Sequence, residues 1–329
     1  MSRPPVTLQI SLAPSDYAHA CALLPHQIAV WRGQVAEILL TVDLHRSAGR
    51  FSAHWAEGRD RIFPLARSIP DARVVDVDYA PPVQFEISQR FFGGHPVPTK
   101  DYRGGPYYSY FFGLNAATHD HVLHVDSDMF FGGGSVTWLG EALDRLQQRP
   151  EIFVIAPLPG APATNGSLRH LHGVRVPSDS LAYDFAEMST RLFLLDRRRF
   201  HGDFGPITPR RPALKNQLKA WIDGNTPAEL PENLITQQMH ARGFVRHEFL
   251  GTAPGLWSLH PPYRSRDFYD RLPALVARIE AGDVPPEQRG DHDLNGSMVD
   301  WSEGIAAMRR NRWWRRLIAR WRSRAPGKS

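Results

Sequence analysis

The sequence predicts an α/β fold with a mostly parallel central sheet and flanking helices. Three observations carry that expectation. Short apolar runs such as EILLTV at Glu37–Val42 read as strands covered on both faces. These runs alternate with longer stretches of helical spacing, which is the pattern of a parallel sheet. No internal repeat or low-complexity linker interrupts the alternation. Taken in order, Val6–Leu12 is the first strand, and Pro14 and Ser15 turn the chain. Tyr17–Trp31 is helical, with Pro25 expected to kink or break it. Residues 73–77 (RVVDV) form a third strand, closed by Pro81 and Pro82. A helix over 107–117 follows Arg103-Gly104-Gly105-Pro106 and leads to a strand at 122–125. Residues 135–148 are amphipathic, with Trp138, Leu139, Ala142, Leu143 and Leu146 on one face. Strands follow at 152–156 and 191–195, then a helix over 233–242 stopped by Gly243, then a strand at 245–250.

Composition narrows the functional classes. Hydrophobic residues make up 42% of the 329, an ordinary share for a globular chain. Cys21 is the single cysteine, so no internal disulfide forms, which fits a reducing compartment. The first twenty residues lack a long apolar core, so no secretory signal is expected. No apolar run approaches the roughly 20 residues of a membrane-spanning helix. The net charge of +5 is unevenly placed. From Arg309 to Ser329 there are eight arginines, one lysine and no acids, and removing those nine cations leaves −4 on residues 1–308. The body is mildly acidic, so the high pI of the chain is no sign of a nucleic-acid-binding body.

Three Asp-x-Asp triplets stand in the chain: Asp76/Asp78, Asp126/Asp128 and Asp291/Asp293. The triplet is a weak pattern, and context must separate them. Asp126 and Asp128 close the apolar stretch HVLHVDSDMFF, at the carboxyl end of a strand, where open α/β sheets bind ligands. Residues two apart on an extended chain face the same way, so both carboxylates can meet one ion. Oxygen ligands suit Mg2+ or Mn2+ bridged to a phosphate, while capping or ion pairing is the alternative. The other two triplets lie in a Pro-Pro segment and a polar loop and read as solvated turn acids.

HVLHVDSDMFF resembles the DxD segment of nucleotide-sugar glycosyltransferases of GT-A fold, in particular the family 2-like group. Other segments agree in order, from Val6 to Pro262. ILLTVD, ending in Asp43, resembles the nucleoside-binding half. YRGGPYYSYFFGLNAATHDHVLHVDSD resembles the Gly turn, helix and strand before the DxD, with Arg103 in the place of a diphosphate contact. ELPENLITQQMHARGFVRHEFLG resembles the acidic-pair helix, and SLHPP puts His260 in the place of a late metal-binding histidine. The resemblance implies a catalytic domain over 1–262 that moves a sugar from a nucleotide diphosphate to an acceptor hydroxyl. It implies that Asp126, Asp128 and His260 hold Mn2+ or Mg2+, and that Asp43, Arg103 and Asp126 hold the nucleotide-sugar. Glu232 is the implied catalytic base. There the chain departs from the family, which usually shows Glu-Asp, because Asn233 cannot accept the proton. Each residue also has a structural reading. Glu232 would be favoured in a first helical turn by the dipole, His260 by backbone hydrogen bonds, Asp43 as a turn cap and Arg103 as a surface charge. Asp196 could serve as an acceptor contact or pair with the arginines at 197–199.

Residues 263–304 read as an irregular extension, and 305–329 as a basic aromatic tail. In the tail Trp314, Leu317, Ile318 and Trp321 share one helical face with arginines around them. That pattern suits an anionic membrane interface; docking on the body or on nucleic acid are the alternatives. The expected partners are therefore a nucleotide-sugar, a glycan or lipid-linked acceptor, and an anionic membrane surface. The expected location is cytoplasmic, peripheral on the inner face of the membrane. Two other functions compete. A sugar-phosphate nucleotidyltransferase would carry a Gly-rich loop where this chain has SLAPSDY. A degenerate, non-catalytic member would explain Asn233.

Overall fold

The computed structural model describes residues 3–47 and 54–310. β1 (Val6–Leu12) is flanked by α1 (Tyr17–Trp31), which runs through Pro25. β2 (Glu37–Val42), α2 (Trp55–Gly58), α3 (Ile62–Arg67) and β3 (Ala72–Asp76) follow. Next come α4 (Pro81–Phe92) and α5 (Tyr108–Ala116). β4 (His121–Asp126), β5 (Phe130–Gly132), α6 (Trp138–Gln148) and β6 (Ile152–Pro159) lead to the short strands β7 (Val174–Arg175) and β8 (Ala182–Phe185). β9 (Leu192–Asp196), α7 (Leu214–Asp223), α8 (Pro231–Arg242), β10 (Val245–Phe249) and β11 (Trp257–Leu259) complete the sheet region. α9 (Arg266–Glu280) and α10 (Ser302–Arg310) end the described chain.

The fold is α/β, as expected, but the sheet is mixed. Its order is β3-β2-β1-β4-β9-β6-β10-β8-β7. β3, β2, β1 and β4 are parallel, β9 runs antiparallel between β4 and β6, and β8 is antiparallel to β10. Apolar runs predict a strand but carry no direction, so β9 could not be oriented in advance. Its orientation decides Asp196. Because His121 pairs with Asp196, that carboxylate lies at the edge of the sheet opposite Asp126. There it accepts from Arg198 at 2.6 Å and caps the turn at Arg198 N, so the ion-pair reading holds.

Helices cover both faces. Leu8, Ile10, Leu123, Val125 and Leu194 meet α1, α3 and α6 on one face. Val122, Phe193, Leu195 and Val154 meet α4, α5 and α8 on the other. Trp31 and Trp138, both fully buried, pack edge to face at 5.8 Å. Such a pair contributes ~0.5–1.5 kcal/mol beyond its area burial. Gly113 lets α5 approach β1: a Cβ there would stand 2.6 Å from the Gln9 amide nitrogen.

Two stretches differ from expectation. Pro81 and Pro82 open α4 rather than ending a strand region, since proline at the first helical positions gives up only an amide that has no partner there. The stretch read as irregular, 263–304, contains the 15-residue α9. Its Phe268, Leu272, Leu275 and Ile279 recur at helical spacing and pack with Phe130, Leu158 and Trp257 in a third apolar cluster. Ser265 caps it by accepting from Phe268 N at 3.2 Å.

Candidate active site

β4 delivers Asp126 to the carboxyl edge of the sheet, and its own pleat builds the support. His124, two residues earlier, shares the face of Asp126 and is fully buried. A buried polar row crosses three strands: Gln9 donates to Thr41 Oγ1 at 2.9 Å, and its amide oxygen meets His124 Nδ1. His124 Nε2 lies 3.2 Å from Asp126 Oδ1, and Tyr110 from α5 donates to the same oxygen at 3.1 Å. The Asp126 amide is fixed by the Arg191 carbonyl at 2.7 Å. Burial first, then the Asp126 charge, hold the Tyr110 hydroxyl well above its usual range, so it stays a donor.

Asp128 sits in the turn after β4. Its Oδ2 pairs with Arg264, and His260 Nε2 is 3.9 Å away. Its Oδ1 is buried with no partner among the described residues. Burial pushes this carboxyl up, but Arg264, His260, His19 and Arg191 outweigh it and hold it below the ordinary carboxylate range. His260 Nδ1 is 3.0 Å from Asp293, which orients the ring so that Nε2 faces Asp128. The reading of Asp291 and Asp293 as solvated turn acids holds in part, since Asp293 is exposed but bonded to His260. Asp293 belongs to the site, and Asp291 is buried and accepts from Asn295 at 2.9 Å.

The expected metal trio is only partly assembled. Among the described residues no three His, Cys, Asp or Glu side chains are gathered to hold an ion. Asp126 turns to Tyr110 and His124, and the Arg264 guanidinium takes the charge of Asp128 instead. The donor set nevertheless fits a divalent cation. It has two carboxylates, one with an orphaned buried oxygen, and an imidazole whose second nitrogen is held by a carboxylate. That last arrangement fixes the tautomer of metal-binding histidines.

α8 carries Glu232 in its first turn. The side chain is partly buried, and burial raises its carboxyl above the usual range. Arg191, Arg246 and Arg103 act against that shift, and Asp126 reinforces it. The Asp126 charge thus reaches Glu232. Asn233 is exposed and donates to Glu229 Oε1 at 2.9 Å.

The remaining expected residues divide. Arg103 is exposed on a turn held by Asp101, which accepts from Arg103 N at 2.6 Å and Gly105 N at 3.0 Å. Gly104 takes φ +81° there, a region costly for other residues. The Arg103 guanidinium stacks on Tyr102 at 5.3 Å. Asp43 is buried and internally satisfied: Lys100 at 2.6 Å, Tyr79 OH at 3.0 Å and His45 N at 2.9 Å all donate to it. It caps its turn and anchors the wall of the β2 end. The tail residues 311–329, with Trp314, Leu317, Ile318 and Trp321, lie outside the described residues; 305–310 belong to α10.

Sequence reading missed Arg191, Arg246, Arg264, Asp293, Tyr110 and His124. Only His124 and Asp293 carried a signal, the first by its i−2 register to Asp126, the second as half of a third triplet. β10 adds Arg246 and Glu248, both buried and paired at 3.2 Å. Their side chains share the face that α8 covers.

No protein-family model matches the chain, and no curated protein matches it significantly. Solved structures give distant likenesses. The galactosyltransferase LgtC with donor and acceptor sugar analogues is 11% identical, with TM-score 0.39, covering 85% of this chain and 98% of that one. Glucosyl-3-phosphoglycerate synthase of Mycobacterium tuberculosis, solved with Mn2+, UDP and glucosyl-3-phosphoglycerate, is 11% identical with TM-score 0.35, covering 84% and 78%. TarS of S. aureus, residues 1–349, is 11% identical with TM-score 0.36, covering 86% and 67%.

Proposed function

We propose that this chain is a metal-dependent glycosyltransferase of GT-A type, moving a sugar from a nucleotide diphosphate to an acceptor hydroxyl in cell-surface glycan or glycolipid assembly. The observation that carries the reading is Asp128. Its buried oxygen has no partner, its other oxygen leans on Arg264, and His260 stands beside it oriented by Asp293. A carboxylate kept ionised at a strand's carboxyl end, with a vacant buried lone pair, is arranged to receive a cation.

Asp126, Asp128 and His260 would hold Mn2+ or Mg2+, which when bound would neutralise the diphosphate. Arg191 and Arg264 act on Asp128, and Arg103, Arg191 and Arg246 act on Glu232, so these cations would supply further positive charge to the leaving group. Glu232, with its carboxyl raised by burial, would take the proton of the acceptor hydroxyl as the new bond forms. The bond from sugar to diphosphate breaks, and its electron pair stays on the diphosphate oxygen. Attachment to the inner membrane face through 305–329 is part of the reading, supported by the sequence of that segment.

The test is a screen of nucleotide-sugars with Mn2+, following nucleoside diphosphate release. Wild-type release that Asp128→Asn abolishes is the expected result. Released pyrophosphate would point to nucleotidyl transfer instead. Absence of metal-dependent UDP or GDP binding by calorimetry would leave the chain a non-catalytic scaffold.

A further inference from the structure

α7 is amphipathic in an unusual sense: its apolar face looks outward. Leu214, Leu218 and Trp221 are spaced four and three apart, on one side of the helix. They are 81%, 48% and 78% exposed. The opposite side is already packed, with Ala220 against Tyr102 and Leu230. The exposed stripe is therefore surplus to the fold.

Charge narrows what can cover it. From Thr208 to Asp223 the chain carries Arg210, Arg211, Lys215 and Lys219 against one carboxylate, Asp223. A second copy of the same face would meet it with like charge. The arginine-rich tail of this chain would do the same. Large apolar side chains at the centre and basic ones beside them suit an anionic lipid surface, where the ring and leucines enter the interface and Arg210, Arg211 and Lys215 meet headgroups.

The position of α7 gives the contact a purpose. Tyr102 packs on α7, donates its amide to Ala228 at 2.9 Å and carries Arg103 on its ring. Lys219 lies over that same ring at 5.6 Å. Residues 228–230 run directly into α8 and Glu232. α7 is thus bound to both the Arg103 turn and the start of the Glu232 helix, at the rim of the candidate site.

We infer that α7 is an interfacial helix that seats the rim of the site on an anionic phospholipid surface. It adds a second membrane contact to the proposed attachment through 305–329 and rests on that reading. A lipid-linked acceptor would then approach Glu232 from the bilayer.

The experiment uses the full chain with Cys21→Ser and Leu218→Cys, labelled with a polarity-sensitive fluorophore. A matched label at Val136→Cys, 80% exposed elsewhere on the surface, is the control. Vesicles contain phosphatidylglycerol and phosphatidylcholine, or phosphatidylcholine alone, and flotation is measured in parallel. The expected result is a blue shift of the 218 label with phosphatidylglycerol vesicles only, no shift at 136, and a roughly tenfold loss of vesicle affinity in Lys215→Glu. A chain that floats while the 218 label stays aqueous overturns this inference and leaves attachment through the tail standing. A chain that does not float overturns both. A 218 label already blue-shifted without vesicles shows that the tail covers α7. A shift that grows with protein concentration alone assigns the face to a second copy. Either result overturns the inference.

Discussion

Replacing Arg264 with methionine tests the central claim about Asp128. Methionine keeps an unbranched stem against Phe268 but removes the guanidinium. The side chains of Asp128 and Arg264 are 14% and 32% exposed. Breaking a fully buried pair costs ~3–5 kcal/mol, while exposed pairs contribute ~0–1. This half-open pair falls between, so Arg264→Met should cost about 2 kcal/mol without divalent ions. At roughly 2 °C per kcal/mol for a chain of this size, the melting temperature in EDTA should fall by about 4 °C. An ion at a hundred times its dissociation constant restores about 2.7 kcal/mol. In the wild type an ion on the free Oδ1 would share the Asp128 charge with the guanidinium on Oδ2 and be repelled by it, so its apparent affinity would be the weaker one. The variant should bind Mn2+ about 30-fold more tightly, which is the same 2 kcal/mol expressed as an equilibrium. Scanning calorimetry across a Mn2+ series measures both quantities. Equal melting temperatures in EDTA, together with equal Mn2+ responses, would refute the idea that Arg264 and a metal ion compete for the charge of Asp128.

Three further outcomes follow from the same geometry. Glu232→Gln should leave the melting temperature nearly unchanged and lower turnover by roughly 10²–10⁴-fold, the usual share of a general base; unchanged turnover would return Glu232 to a helix-start role. Lys100→Met leaves the Asp43 carboxylate buried and uncompensated, at about 3–5 kcal/mol, and chemical denaturation should show most of it recovered in Asp43→Asn/Lys100→Met. Asp16 is pushed up to about 7, chiefly by burial, with its amide bond from Ala13 opposing and the Asp128 charge reinforcing. The native state then keeps a proton between about pH 4 and 7 that the unfolded chain has lost, so stability falls as pH rises through that window. Its side chain is about a quarter exposed (26%), which reduces the effect to about 1–2 kcal/mol. Denaturation midpoints of Asp16→Asn should lack this decline, and a decline of equal size in the variant would assign it elsewhere.

The sequence by itself determined the first two strands of the parallel half, because Val6, Leu8, Ile10 and Leu12 alternate onto one apolar face and Ile38–Val42 is an almost unbroken apolar run. Val6–Leu12 and Glu37–Val42 were legible to the residue. It also singled out Asp126 and Asp128, since two acids ending an apolar run have few explanations. Tertiary structure decided the rest. β9 could be read as a strand but not as antiparallel, and its direction is what removes Asp196 from the site. Asn233 looked like a damaged catalytic position in the sequence, and the fold exposes it and bonds it to Glu229, while its neighbour Glu232 is partly buried and feels the Asp126 charge. Arg191, Arg246 and Arg264 come from three distant segments, and nothing in their local sequence distinguishes them from solvated charges. Asp43 and Asp128 look alike as strand-end acids. One is neutralised by Lys100, 57 residues away, and the other keeps a buried oxygen without a partner. Local sequence fixes which groups a strand end carries, and only packing across the chain fixes which of their lone pairs are left to bind something else.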